Sequence, residues 1–105
     1  IGFDGVDLNY CKNNKIVITN TPKVLTNDVA DLALGLMIAL SRKINEAHDF
    51  ILKKKWNNKP FDLTTSLTNK TVGIVGMGEI GEAFSKRAKS LTMKIVYYGP
   101  NKKIS

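Results

Sequence analysis

Gly76, Gly78 and Gly81 fall in the order G-x-G-x-x-G inside Thr71-Val72-Gly73-Ile74-Val75-Gly76-Met77-Gly78-Glu79-Ile80-Gly81. That spacing suits one piece of chemistry, holding the pyrophosphate of a dinucleotide. Gly76 permits a tight turn, Gly78 lets backbone approach the phosphates with no Cβ in the way, and Gly81 lets the following helix pack close to the preceding strand. The anion would sit at the start of that helix, where unpaired N–H groups and the positive end of the dipole point at it. Met77, Glu79 and Ile80 complete the cradle between the glycines. Three glycines alone are a weak signal, because an ordinary turn can carry them; the flanking pattern decides.

The elements that must position the turn are legible on both sides of it. Thr71 to Val75 is β-branched or small and nearly all apolar, which predicts a parallel strand covered on both faces. A helix can begin near Gly78 and run to Leu91, with Ala83, Phe84, Arg87, Ala88 and Leu91 at helical spacing, and Met93 to Tyr98 reads as a second strand. Upstream, Asp7 to Asn14 predicts a short helix with Asp7 as N-cap and Asn13-Asn14 as its stop. Ile16 to Thr19 predicts a short strand, ended by Pro22, which lacks an N–H and pushes Thr21 into an extended conformation. From Thr26 or Asn27 one long helix is expected, with Asp28 and Asp31 complementing its dipole. Ala30, Ala33, Met37, Leu40, Ile44, Ala47 and Ile51 form its stripe over about 40 Å at 1.5 Å per residue. Its first half, Leu32 to Leu40, is apolar nearly all round and needs cover on every side; Ser41 to Lys55 is amphipathic. Trp56 to Ser66 reads as a loop and Ser66 to Lys70 as the turn before the first strand.

The 105 residues carry 43% hydrophobic and 24% charged side chains, the balance of a globular protein rather than a disordered one. The longest apolar run, Leu32 to Leu40, is far short of the roughly 20 residues of a membrane span, so no membrane partner is expected. The formal charge of +7 raises nucleic acid as a partner. The lysines are spread out, however, with only Lys53-Lys54-Lys55 and Lys102-Lys103 adjacent, and no nucleic-acid motif accompanies them, so a solvated basic face is the expectation for all but Lys102 and Lys103. The single Cys11 has no cysteine or histidine companion; it reads as buried or inert in a reducing compartment. His48, the one histidine, has no nucleophile or metal-ligand partner spaced to meet it and reads as a surface or interface residue. No metal site is expected. The opening Ile1-Gly2-Phe3-Asp4-Gly5-Val6-Asp7 is a glycine-containing turn without a starting methionine, and reads as the interior of a longer sequence.

With these pieces in order, the chain resembles the D-isomer-specific 2-hydroxyacid dehydrogenases, most closely their hydroxypyruvate, glyoxylate and hydroxyphenylpyruvate reductases. The resemblance rests on Ile1-Gly2-Phe3-Asp4, Val17-Ile18-Thr19-Asn20-Thr21-Pro22, Val24-Leu25-Thr26, Asp28-Val29-Ala30-Asp31-Leu32-Ala33, Lys70 to Gly78 and Tyr97-Tyr98. It implies an α/β fold in which residues 1–22 end a flavodoxin-like substrate domain. Residues 23–66 then form an interdomain helix and connecting loop, and residues 67–105 the first βαβ part of a Rossmann-type NAD(P)-binding domain. It also implies a cytoplasmic homodimeric oxidoreductase that reduces a 2-keto acid to a D-2-hydroxy acid by hydride transfer. Carried over by position, the backbone N–H groups around Ile1 and Gly2 would hold the substrate carboxylate. The family's catalytic arginine, glutamate and histidine fall downstream of the second strand, past Ser105, so no catalytic residue is expected within this chain.

Two positions depart from the resemblance. The residue after Gly78 is usually arginine in the family; Glu79 puts a carboxylate beside a dianionic group. At the end of the second strand, where users of NAD carry an Asp about 20 residues past the glycine turn to hold the ribose hydroxyls, this chain has Gly99. Pro100, Asn101, Lys102 and Lys103 follow. With the carboxylate gone and two cations close behind, NADPH is expected over NADH. The competing readings are a truncated non-catalytic relative that binds a dinucleotide or a partner protein, and a basic nucleic-acid-binding module, which has only charge in its favour.

Overall fold

The computed structural model describes residues 2–100. The chain is α/β: helices α1 (Leu8–Asn13), α2 (Thr26–Ser41) and α3 (Ile44–Leu52) precede a β1 (Thr71–Val75), α4 (Glu79–Ser90), β2 (Lys94–Tyr98) unit. β1 and β2 pair in parallel, from Thr71 opposite Lys94 to Val75 opposite Tyr98. Parallel neighbours cannot be joined by a hairpin, and α4 is the crossover that brings the chain back.

The core sits under that crossover. Ile74 of β1, Ala88 of α4 and Met93 at the entry to β2 are buried, and Val72 and Ile95, opposite one another in the register, are half-buried beside them. The other face of the sheet is bare: Val75 is 86% exposed and Tyr98 78%. The apolar run of β1 predicts cover on both faces, whereas the described residues cover one. A side chain in a strand points to alternate faces, so a continuous apolar run promises two partners and this chain supplies only α4.

α1 forms as its signals require. Asp7 takes the N-cap and its carboxylate accepts from the Tyr10 N–H at 2.9 Å, while the Asn14 side chain donates to the Tyr10 carbonyl at 2.9 Å. The expected strand at Ile16 to Thr19 does not form. No strand lies upstream of β1 among the described residues, because an isolated extended segment without an edge to pair with has nowhere to place its N–H and C=O groups except solvent.

The long helix is broken. α2 ends at Ser41, Arg42 donates its backbone N–H to Ile38 O at 2.9 Å and Lys43 to Leu40 O at 3.2 Å. Lys43 itself adopts a left-handed conformation with φ 50°, the geometry of a helix C-terminal cap. The cause is tertiary. The segment after α3 runs back past this point, where the Arg42 guanidinium donates to Thr64 Oγ1 at 2.8 Å and the Thr65 N–H donates to the Ser41 carbonyl at 3.2 Å. Phe50 of α3 stacks edge-on against Phe61 of the same returning segment, with ring centroids 5.3 Å apart. The loop expected from Trp56 therefore opens with a short 3-10 turn at Lys55–Asn57 and is packed along α3.

Neither Thr26 nor Asn27 caps α2. Leu25 occupies the cap with no side-chain hydrogen bond, and Asn27 is turned instead to α4, where its side-chain oxygen accepts from Arg87 Nη2 at 3.2 Å. Asp31, expected to complement the dipole, pairs with Arg87 Nε, and Arg87 Nη1 donates to the Ala83 carbonyl at 3.0 Å. One guanidinium thus ties α2 to α4 above the buried Ala30. The opposite face of α2, including Leu32, Leu36 and Leu40, is exposed, so the all-round cover expected of Leu32 to Leu40 is present on one side only.

Elsewhere on the surface, Asp49 accepts from Lys53 Nζ at 2.8 Å; that hydrogen bond and the lysine's charge hold its carboxyl below the ordinary value. His48 is exposed and Cys11 half-buried with a free thiol. No helix among the described residues is long and apolar enough to cross a membrane, and no cluster of three or more His, Cys, Asp or Glu side chains there is placed to hold a metal ion.

Candidate dinucleotide site

The glycine turn is built from the end of β1. Gly76 has φ 93°, a region that favours glycine because it carries no Cβ, and its N–H donates to the Tyr98 carbonyl at 2.8 Å, so the turn leaves the sheet exactly as β2 ends. Gly78 is extended and takes the N-cap of α4 with no side-chain hydrogen bond. The first-turn N–H groups of a helix have no intrahelical partner, and here no side chain of the cap covers them. The space beside Gly78 is also open: a Cβ built there would meet no atom within 4 Å.

Gly81 does the opposite job. A Cβ at this position would lie 2.4 Å from the Gly76 carbonyl oxygen and 3.3 Å from Ile74 Cγ2. The helix can therefore rest on the strand only because the residue is glycine, which is the close packing that the third glycine of such a turn provides. Together the three glycines aim an open helix start at a cleft of about 520 Å³, within the size range of small-molecule sites.

One wall of the cleft is Gly76, Gly78, Glu79, Ile80 and Gly81; the other is the Thr21-to-Thr26 turn that precedes α2, with Val29 behind it. Met77 is half-buried and does not line it. Its N–H lies 3.8 Å from where a Cβ on Gly99 would stand, which places the end of β2 beside the glycine turn. Pro100 is exposed. Gly2 is exposed and is not a cleft-lining residue. Ile1, Asn101, Lys102 and Lys103, also expected in binding roles, lie outside the described residues.

Sequence reasoning missed the second wall. Thr21 and Pro22 read as the end of a strand and as part of the family motif, neither of which places them at a site, and Lys23 has no reading of its own. In the structure Lys23 Nζ lies 3.4 Å from Glu79 Oε1, with side chains 76% and 55% exposed. Opposite charge at the two positions was the available signal, but nothing local pairs residues so far apart in sequence. An uncapped helix start, backbone made accessible by Gly78 and a lysine at the rim form an anion-binding arrangement, and the residues present fit a dinucleotide pyrophosphate.

Comparison with known proteins agrees. Residues 34–105 match the family described as D-isomer specific 2-hydroxyacid dehydrogenase, NAD binding domain. The Arabidopsis thaliana protein named glyoxylate/hydroxypyruvate reductase A is 48% identical over 98 residues, covering 93% of this chain and 31% of that protein. The hydroxyphenylpyruvate reductase of Plectranthus scutellarioides is 44% identical over 103 residues, covering 98% and 33%. Among solved structures, an NADPH-dependent glyoxylate/hydroxypyruvate reductase from Sinorhizobium meliloti, in complex with NADP and malonate, superposes with a TM-score of 0.81 at 36% identity, covering 97% of this chain and 33% of that one. The chain thus spans about a third of the length of the relatives it matches. On a family match that takes in most of its residues, the chain belongs to the D-isomer-specific 2-hydroxyacid dehydrogenases.

Proposed function

We propose that this chain forms the pyrophosphate-gripping βαβ unit and the helical connection to the substrate side of an NADPH-dependent 2-keto acid reductase. The observation that carries the reading is the glycine turn itself. Gly81 seats α4 on β1, and Gly78 leaves the start of α4 open to the cleft. When bound, the dinucleotide supplies the hydride. The chain's own part is to hold the phosphates with backbone N–H groups of residues 78 to 81, and to set the ribose against Gly99 and the residues after it. Backbone around Ile1 and Gly2 is assigned to the substrate carboxylate. The arginine, glutamate and histidine that polarise the carbonyl and move the proton in such enzymes are assigned to sequence outside this chain. The bare face of α2 is assigned to a homodimer contact.

The substrate class is a small 2-keto acid such as glyoxylate, hydroxypyruvate or hydroxyphenylpyruvate, the compounds named in the relatives' own descriptions. The preference for NADPH follows from Gly99 in place of a carboxylate, with Lys102 and Lys103 close behind. A charge-assisted contact to a 2′-phosphate contributes about 1.5–3 kcal/mol, or roughly a 10- to 100-fold preference. The test is a polypeptide carrying this segment within the full family length, assayed for reduction of the three keto acids with each cofactor. The reading expects turnover, tighter NADPH than NADH, and a lost preference when Lys102→Ala and Lys103→Ala are combined. Equal affinity before the change, or an unmoved ratio after it, refutes the assignment of these lysines. Glu79 favours a second reading, a non-catalytic relative of the same fold that binds a partner protein, because its carboxylate repels a dianion at the same helix start. A full-length protein that binds neither cofactor and turns over no keto acid would favour it.

A further inference from the structure

Glu79 is the first residue of α4, so its carboxylate stands at the position where the site reading above puts a dianionic pyrophosphate. The partial positive charge of a helix start is about half an elementary charge, too little to balance both. A full cation has to come from elsewhere, and among the described residues the cleft has one. Lys23 stands on the opposite wall, at the rim, 3.4 Å from Glu79.

We propose that Lys23 is the cationic half of the pyrophosphate grip, carried on the turn before α2 and loosely paired with Glu79 until the phosphates bind. The inference rests on the dinucleotide reading of the site. The backbone sets the geometry. Lys23 follows Pro22 and has φ 66°, the order of a fixed-φ proline and a left-handed residue that makes a type II turn, a position where glycine or asparagine is usual. The lysine is thereby raised at the tip of the turn and reaches across to α4. Lys23 and Glu79 both also line an adjoining hollow, with Asn27, Glu82, Lys86 and Arg87, so the pair borders both cavities.

The pair is a weak one. Its 3.4 Å separation exceeds the 2.7–2.9 Å of a tight charge-assisted hydrogen bond, and pairs this exposed are worth little. Lys23 can therefore pass to a dianion at little cost, and by lying between the phosphates and Glu79 it screens their repulsion. Arg87 is not an alternative source of charge, since Asp31, Asn27 and the Ala83 carbonyl already engage it.

The test measures dissociation constants of NADPH and NADH for the full-length protein that carries this segment, by fluorescence of the reduced nicotinamide. Circular dichroism checks that each variant is folded. Lys23→Gln is expected to weaken both cofactors about tenfold with their ratio unchanged, because the pyrophosphate is common to both. Lys23→Arg should retain binding and Lys86→Gln should change little. Adding Glu79→Gln to Lys23→Gln should recover part of the lost affinity, by removing the unscreened repulsion. Unchanged affinities in Lys23→Gln, or a loss confined to NADPH, overturn the proposal. Failure of the unaltered protein to bind either cofactor overturns the site reading instead.

Discussion

Gly78 and Gly81 lie three residues apart and are glycine for different reasons, which makes them separable by experiment. Alanine is a better helix former than glycine by about 1 kcal/mol, so Gly81→Ala gains on propensity. Its methyl, however, would fall 2.4 Å from the Gly76 carbonyl oxygen, and that neighbour is backbone, which cannot swing aside. Overpacking costs about 1–3 kcal/mol and wins. Gly78→Ala meets no atom at φ −83°, a conformation open to any residue. In the full-length protein, urea unfolding should therefore show Gly81→Ala destabilised by up to about 2 kcal/mol net of the propensity gain and Gly78→Ala by only about 0.5 kcal/mol, the cost of a poorer N-cap, while cofactor affinity falls in Gly78→Ala. A Gly81→Ala protein as stable as the original would show that α4 can lift from β1 freely. The spacing made this division of labour legible because each glycine's task is set by residues within one turn of it. Lys23 was not legible in the same way: its counterpart Glu79 is brought near only by the packing of α2 on α4.

The same contrast holds for elements. β1, α4 and β2 follow the sequence pattern to within a residue, since periodicity and the glycine turn are local. The break between α2 and α3 is not in the pattern, which runs as one stripe through Leu40, Ile44 and Ala47. It is set by the returning segment that takes the Ser41 carbonyl and the Arg42 guanidinium. Lys43 then pays the conformational cost, about 1–2 kcal/mol for a non-glycine residue in the left-handed region. This gives a substitution whose sign is diagnostic. With Lys43 left-handed, Lys43→Gly relieves that cost and should raise the thermal midpoint, by a net 0.5–1 kcal/mol or so after the added freedom of the unfolded chain. Were Ala39 to Ala47 one uninterrupted helix, the same glycine would cost about 1 kcal/mol and the midpoint would fall. A calorimetric comparison of the two proteins therefore reads the backbone at Lys43 directly.

At the scale of the molecule the decisive quantity is surface. The chain exposes 8698 Å², against about 5,800 Å² for a compact monomer of its 11.6 kDa on the usual size scaling. Its radius of gyration is 20.4 Å, where about 13 Å is expected of a compact domain this long. Large apolar side chains contribute to the excess on the uncovered sheet face of Val75, Val96 and Tyr98, on the uncovered α2 face of Leu32, Leu36 and Leu40, and in the connecting segments at Val17, Trp56 and Leu63. Against it stand, among the described residues, five buried apolar side chains, Ala30, Phe50, Ile74, Ala88 and Met93, and a sheet of two strands, which is marginal in water without more cover. Burial of that extent cannot offset the conformational entropy of ordering the chain, about 1–2 kcal/mol per residue for the backbone alone. The 105 residues by themselves should therefore unfold over a broad, non-cooperative range of temperature, bind a hydrophobic dye before heating, and turn over no keto acid with either reduced cofactor. The same segment within the full family length should melt in a sharp transition that shifts upward with NADPH, as ligand linkage requires. Calorimetry with and without cofactor on the two proteins is the measurement. A sharp transition in the 105 residues alone would mean that the bare faces of α2 and the sheet cost less than their exposed area implies, and hydroxypyruvate reduction by them would mean that the chemistry needs no residue beyond this chain's own.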